Sequence, residues 1–280
     1  MFSSFVQINR LRFLKDRIVR KAARPFKRPS KFEPPMPEAI PKRIWIYWDQ
    51  GFDAAPALVK RCVRSWQDCN PEWTVELLDA GNVGAHVSLP PLPDTISKAH
   101  RADVLRTRLL NEHGGVWADA TAWCLRPLSE WLPVVGQAGF FVFCWTRSDR
   151  GMIALAPQRS LANWFIAAAP GNAMIDAWDR ITLDYWQGRV ATDVYHWHAD
   201  AVEYAIRKDR DAALTWERMP KLGAAGPHML WYALERGGDL EAAKKAICSG
   251  AYPLQKLSWK MAAPFEQVET LMNDALRQTD

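Results

Sequence analysis

Arg43-Ile44-Trp45-Ile46-Tyr47-Trp48-Asp49-Gln50-Gly51 is the stretch on which the fold turns. Ile44–Trp48 is a run of β-branched and aromatic residues, and it stops at Asp49-Gln50-Gly51, as a buried strand stops at a turn. Downstream, Pro56 opens a helix to about Cys69, with Leu58, Cys62, Val63 and Trp66 available for its inner face. Asn70-Pro71 breaks that helix, and Trp73–Leu78 predicts a second strand. Strand, helix and strand in this order imply a parallel pair joined by a crossover. The pattern continues with a helix over about Ile96–Glu112, the pair Gly114-Gly115, a strand over Val116–Asp119 and another over Gly139–Trp145. Helical patterns then dominate, near Ala173–Trp186, Tyr195–Arg207 and His228–Glu235. The expected class is α/β: a single Rossmann-like domain with a mostly parallel central sheet and a helix-rich C-terminal half. Such a sheet takes its ligand outside the carboxyl ends of its strands, where Asp49 and Asp119 both fall.

Outside this body lies a basic arm. Residues 1–43 hold twelve Lys/Arg against Asp16, Glu33 and Glu38, a net +9 in a chain whose total is +5. The remainder is therefore mildly acidic, which argues against a nucleic-acid-binding body. Within the arm Phe5, Ile8, Leu11, Leu14 and Ile18 recur at helical spacing between cations. That pattern suits a helix lying on an anionic membrane surface, and it equally suits a solvated tail or a helix packed on the body or a partner. Pro34-Pro35-Met36-Pro37 reads as a stiff linker, so the expected division is an arm over residues 1–36 and a domain over 37–280. No apolar run approaches the roughly 18 residues needed to span a bilayer. The five cysteines form no CxxC pair, consistent with reduced thiols and a cytoplasmic protein, peripheral on the membrane if the arm binds it.

The chemistry concentrates in residues 102–121. Asp103 and Arg106 are three apart and share a helix face. Gly114-Gly115 permits a reversal and close backbone approach. Asp119 then emerges at a strand end among small and apolar neighbours. A hard dication such as Mg²⁺ or Mn²⁺ takes carboxylate oxygens together with substrate phosphates, so this group suits a metal–phosphate site. By spacing alone, a surface ion pair explains Asp103 and Arg106 equally well, and a turn cap explains Asp119.

These blocks resemble the sugar transferases of GT-A fold that carry an Asp-x-Asp motif, including the yeast-type initiating mannosyltransferases and the glucosylating domains of clostridial toxins. They resemble the capsular polysaccharide synthesis family more closely: Ile40-Pro41-Lys42-x-Ile44-Trp45-x-Tyr47-Trp48-x-x-Gly51, then Ile96-Ser97-Lys98-Ala99-His100-x-x-Asp103-x-x-Arg106, then Gly114-Gly115-Val116-Trp117-x-Asp119-Ala120-Thr121. Weaker echoes follow in Asn163-Trp164-Phe165-Ile166, Asp193-x-Tyr195-x-x-His198 and Lys256-Leu257-Ser258-Trp259-Lys260. The resemblance implies a nucleotide-sugar-binding domain and a transferase that uses a nucleoside-diphosphate sugar, with a UDP-sugar favoured. The acceptor it implies is a glycan or lipid-linked glycan, and it suggests retention at the anomeric carbon. It places Tyr47 and Trp48 at the nucleotide base, and Asp103 and Arg106 at the donor's sugar and ribose hydroxyls. Asp119 is placed at the ribose or the metal–diphosphate unit. Gly114, Gly115 and Trp117 border the donor, and Gly226-Pro227 forms a turn closing over it. The implied cofactor is Mn²⁺ or Mg²⁺, held by Asp119, Thr121 and His228. Here the sequence departs from the pattern, because Thr121 stands where a second carboxylate is expected, and a hydroxyl is a weaker ligand for a hard cation. That departure, with the basic arm, also motivates the alternative of a non-catalytic subunit that binds sugar nucleotide or glycan in a membrane-associated assembly. Of the paired histidines around Trp197, His198 is the one expected to face the cleft, and most of the fifteen tryptophans are expected in the core.

Overall fold

Five strands build the central sheet in the computed structural model, which describes residues 39–146, 149 and 160–277. The arm and the Pro34-Pro35-Met36-Pro37 linker lie outside the described residues. The first strand, β1 (Arg43–Tyr47), buries Ile44, Trp45 and Ile46 completely. An apolar side chain withdrawn from water in this way contributes roughly 1.5–3 kcal/mol. Helix α1 (Ala57–Cys69) follows and leads into β2 (Thr74–Leu78), which pairs parallel to β1 along its whole length, from Arg43 opposite Thr74 to Tyr47 opposite Leu78.

The next unit supplies the central strand. Helix α2 (Lys98–His113) is capped at its start by the Ser97 hydroxyl, which accepts from the His100 amide, and it stops at Gly114, whose backbone has φ 64°. Strand β3 (Gly115–Ala118) then runs parallel beside β1, placing Trp117 opposite Trp45. The Trp45 indole N–H donates across to the Gly114 carbonyl at 2.9 Å. A short strand β4 (Ala122–Cys124) leads to helix α3 (Leu128–Val135) and to β5 (Phe140–Cys144).

One strand went unread in the sequence. Leu161–Ala168 forms β6, inserted between β3 and β5 and antiparallel to both, so the sheet order is β2-β1-β3-β6-β5. Four of the five strands still point one way, because β5 shares the direction of β3. The mostly parallel expectation therefore holds, with one reversed strand near its centre. The β5–β6 register shifts between Val142 and Phe143, which leaves β6 irregular around Asn163-Trp164-Phe165. Bulges of this kind re-aim side chains and free backbone groups from the ladder.

Helices α4 (Ala173–Trp186), α5 (Trp197–Lys208) and α6 (Arg210–Arg218) follow the sheet. Helices α7 (Met229–Arg236) and α8 (Leu240–Cys248) precede β7 (Leu254–Lys256), and α9 (Phe265–Arg277) ends the described chain. β7 pairs antiparallel with β4, with Lys256 opposite Ala122. This two-stranded ribbon rests on α1, whose Trp66 indole donates to the Ala122 carbonyl at 2.8 Å. Among the described residues no helix is long and apolar enough to cross a membrane.

The glycine pair corrects an expectation. Gly114 and Gly115 sit at the amino end of β3, four residues and therefore roughly 13 Å of extended chain from Asp119. Their close approach is to protein backbone: a Cβ on Gly115, at φ 96°, would lie 2.5 Å from the Arg43 carbonyl oxygen, and one on Gly114 would lie 2.6 Å from Pro170 Cδ. They set the β1–β3 spacing at the end of the sheet away from the site. Replacing Gly115 by Ala is expected to cost on the order of 2–4 kcal/mol in urea denaturation; an unchanged midpoint would contradict this packing.

Candidate functional site

Asp103, Arg106 and Asp119 do converge, at the end of β3 where the chain leaves the sheet. Arg106 lies on the buried face of α2 with 5 % of its surface exposed. Its Nε donates to the Ala102 carbonyl at 3.2 Å, and one terminal nitrogen donates to the Asn163 carbonyl at 2.7 Å and lies 3.2 Å from Asp103 Oδ1. The other reaches Asp119 Oδ1 at 3.4 Å. The guanidinium also lies over the Trp117 ring, 5.1 Å from its centroid, a favourable cation–π placement. The Trp117 indole N–H donates to Asp119 Oδ1 at 3.0 Å. Trp117 is itself buried, so it steadies Asp119 and offers no open face to a ligand.

The bulge in β6 contributes a residue that the sequence reading left as an echo. Asn163 uses its backbone carbonyl on Arg106, while its side-chain nitrogen lies 3.0 Å from Asp103 Oδ1 and 3.1 Å from His198 Nδ1. His198, on α5, is buried with its ring 4.5 Å from that of Trp178. Burial holds its pKa well below the usual histidine value, with the Arg106 charge adding to the effect, so it stays neutral. Asp103 shifts the opposite way. Burial raises it from 3.8 to about 7 despite the opposing pull of Arg106, and the Asp119 charge pushes in the same direction as burial.

The far side of Asp119 meets the ribbon. Lys256 donates from Nζ to Thr121 Oγ1 at 2.6 Å and to the Leu257 carbonyl at 3.0 Å, and lies 3.7 Å from Asp119 Oδ2. Past Lys256, the Leu257 amide donates to the Thr121 carbonyl at 2.9 Å, and Trp259 packs edge-on to Trp48 with centroids 5.9 Å apart. Trp48 is half-buried and Trp259 is 49 % exposed, so this indole pair forms the open end of the rim. Tyr47 is turned elsewhere: its hydroxyl donates to Asp49 Oδ1 at 2.7 Å, while Lys98 reaches Asp49 Oδ2 at 2.9 Å. Burial, together with that carboxylate, drives the Tyr47 phenol up.

Gly226, Pro227 and His228 form a 3₁₀ turn packed behind the ribbon. Gly226 is covered by the Tyr252 ring, and its carbonyl takes a 3.4 Å hydrogen bond from Gln255, the residue before Lys256. The turn thus buttresses the strand that carries Lys256. His228 lies between the Trp145 and Trp164 rings, with Nδ1 2.7 Å from the Ala224 carbonyl.

The donor set does not fit a protein-held dication. Among the described residues no group of three or more His, Cys, Asp or Glu is placed to hold a metal. Asp119 is already shared between Arg106 and Trp117. Thr121, standing where a second carboxylate is expected, accepts from an ammonium, and an ammonium cannot ligate a cation.

Residues 5–275 match the family described as capsular polysaccharide synthesis protein. An O-glycosyltransferase of Annulohypoxylon truncatum is 27 % identical over 187 residues, covering 58 % of this chain and 42 % of that protein. A glycosyltransferase of Aspergillus fumigatus is 26 % identical over 189 residues, covering 59 % of this chain and 45 % of its own. The matches thus span less than half the length of these curated relatives. The solved PaToxG glycosyltransferase aligns over 87 % of both chains with 15 % identity and a TM-score of 0.44.

Asp103 gives this cluster a signature in pH. A raised carboxyl pKa favours the protonated form on folding, so its contribution is fully present below about pH 4 and is lost as pH rises through about 7. Denaturation across this window should show the wild type losing stability relative to Asp103→Asn. Parallel curves would contradict the burial-driven shift.

Proposed function

The chain belongs to the capsular polysaccharide synthesis protein family, and from that membership and the site's geometry we propose that it is a glycosyltransferase. It moves a sugar from a nucleoside-diphosphate donor, a UDP-sugar in the favoured case, to a hydroxyl of a glycan or lipid-linked glycan. The observation that carries the reading is the convergence of Asp103, Arg106 and Asp119 at the carboxyl end of a central strand, beside the Trp48–Trp259 pair. Ligands of open α/β sheets bind at such ends.

In this reading the indole pair offers a flat apolar surface to the base. Asp119, fixed by Trp117 and Arg106, accepts from ribose or sugar hydroxyls. Asp103, protonated over part of the neutral range, can donate as well as accept. Transfer breaks the bond between the anomeric carbon and the diphosphate oxygen, whose electron pair leaves with the diphosphate. The acceptor oxygen takes its place at carbon, and the acceptor proton passes to the departing diphosphate. Both carboxylates of the cluster are engaged by Arg106, so neither is held ready as a separate base. This favours retention of configuration. Fixed donors aimed at the departing charge are the main source of rate in such a site.

A thermal-shift panel of UDP-, GDP- and CMP-sugars should show selective stabilisation by one nucleotide class, worth about 2.7 kcal/mol at a hundredfold excess over Kd. Asp119→Asn should lower turnover on that donor by on the order of 100-fold. Wild-type rates in the variant would remove Asp119 from the site.

We also propose that residues 1–36 hold the enzyme to an anionic membrane, each cation near the surface adding roughly 1 kcal/mol. Sedimentation with phosphatidylserine vesicles should be salt-sensitive and lost on deleting residues 1–36. Equal sedimentation of the truncated chain would refute the idea.

A further inference from the structure

We propose that the Lys256 ammonium, together with the Thr121 hydroxyl, receives the diphosphate of the donor, so that nucleotide binding at this site requires no divalent metal. The inference rests on the donor site described above and concerns which cation serves it.

Four observations support it. First, Lys256 occupies the position facing Asp119, where a cation bridging that carboxylate and a diphosphate would stand, with Nζ 3.7 Å from Asp119 Oδ2. Second, the ammonium is placed by the protein: β7 pairs with β4 opposite Ala122, and Gln255, the residue before it, is tied by hydrogen bonds to Gly226 and Leu230. Third, an ammonium has three N–H donors, and Thr121 Oγ1 and the Leu257 carbonyl accept at hydrogen-bond distance. One donor is left for the opening, where the Lys256 side chain keeps 18 % of its surface and that of Asp119 keeps 28 %. Fourth, Thr121 accepts from Lys256, so its own O–H proton is free to donate. The Asp-Ala-Thr sequence that is poor at holding a cation is thereby suited to meeting an anion.

The charges agree with this assignment. Arg106 and Lys256 are two cations against the one solvent-facing carboxylate of Asp119, and burial keeps Asp103 partly protonated and His198 neutral. Burial pulls the Lys256 pKa below the ordinary lysine value of 10.5, while Asp119 pushes it back up. A diphosphate arriving here would compensate an excess of positive charge. A dication placed on Asp119 would instead face an ammonium on its other side.

The test is calorimetric titration of the full chain with UDP and with GDP, in excess EDTA and again in Mn²⁺. The expected result is binding of one nucleotide in EDTA with an affinity within about threefold of that in Mn²⁺. Lys256→Met should weaken that binding by roughly 10- to 100-fold, the value of one charge-assisted hydrogen bond, with Lys256→Arg recovering part of it. A melting temperature for Lys256→Met within a few degrees of wild type would show that the loss is local. If that variant does not fold, the EDTA comparison on the wild type decides alone. Binding that appears only with Mn²⁺ or Mg²⁺ would overturn the inference and leave the transferase reading intact. Failure of both nucleotides to bind in either condition would overturn both.

Discussion

A guanidinium nearly sealed from water joins the helices of this protein to its sheet. Arg106 leaves α2, bonds the carbonyl that the β6 bulge frees at Asn163, and reaches the carboxylates of Asp103 and Asp119. Its planar fork makes these contacts in different directions at once, which a lysine could not reproduce. Losing one partner of a buried charged group commonly costs about 3–5 kcal/mol, because the other charge is left without compensation. The distance between α2 and the end of β3 is therefore fixed by the same bonds that hold the two functional carboxylates. Fold and site share one constraint.

From that point the rim is built outward by rigid parts. Trp117 lies beneath the guanidinium and pins Asp119 through its indole N–H. Asn163 joins Asp103 to a neutral His198 deep under α5. On the other side the β4–β7 ribbon, resting on α1 and braced by the Gly226-Pro227 turn, brings in Lys256 and then Trp259 against Trp48. Elements distant in sequence thus present a flat indole edge, a fixed carboxylate and two cations to one opening. That combination suits a molecule with an aromatic base, hydroxyls and a diphosphate.

Much of this was legible in the chain. The run from Ile44 to Trp48, the helix to Cys69 and the strand after Asn70-Pro71 carry strong local signals, and they fall within a residue or two of where the sequence puts them. Asp103 and Arg106 were readable as a pair because helical spacing fixes their common face. Strand β6 was not. Leu161-Ala-Asn-Trp-Phe-Ile-Ala-Ala168 is a short apolar run that periodicity alone cannot separate from a buried helix, and its reversed direction depends on partners on both sides. Lys256 was hidden for another reason. A lysine in Leu-Gln-Lys-Leu-Ser reads as surface charge, and Thr121, its hydrogen-bond partner, is 135 residues away. The one local trace was the threonine standing where a carboxylate was expected. The glycine pair was read correctly as a place of close approach, but the object approached is the Arg43 carbonyl and Pro170.

The central claim is that a nucleoside diphosphate lies along the rim organised by Arg106. A crystal structure of the full chain soaked with UDP or GDP examines it most directly. The account predicts the base against Trp48 and Trp259, with a diphosphate oxygen within hydrogen-bond distance of Lys256 Nζ and Thr121 Oγ1. A nucleotide bound elsewhere, with Asp119 and Lys256 touching only each other and solvent, would contradict it.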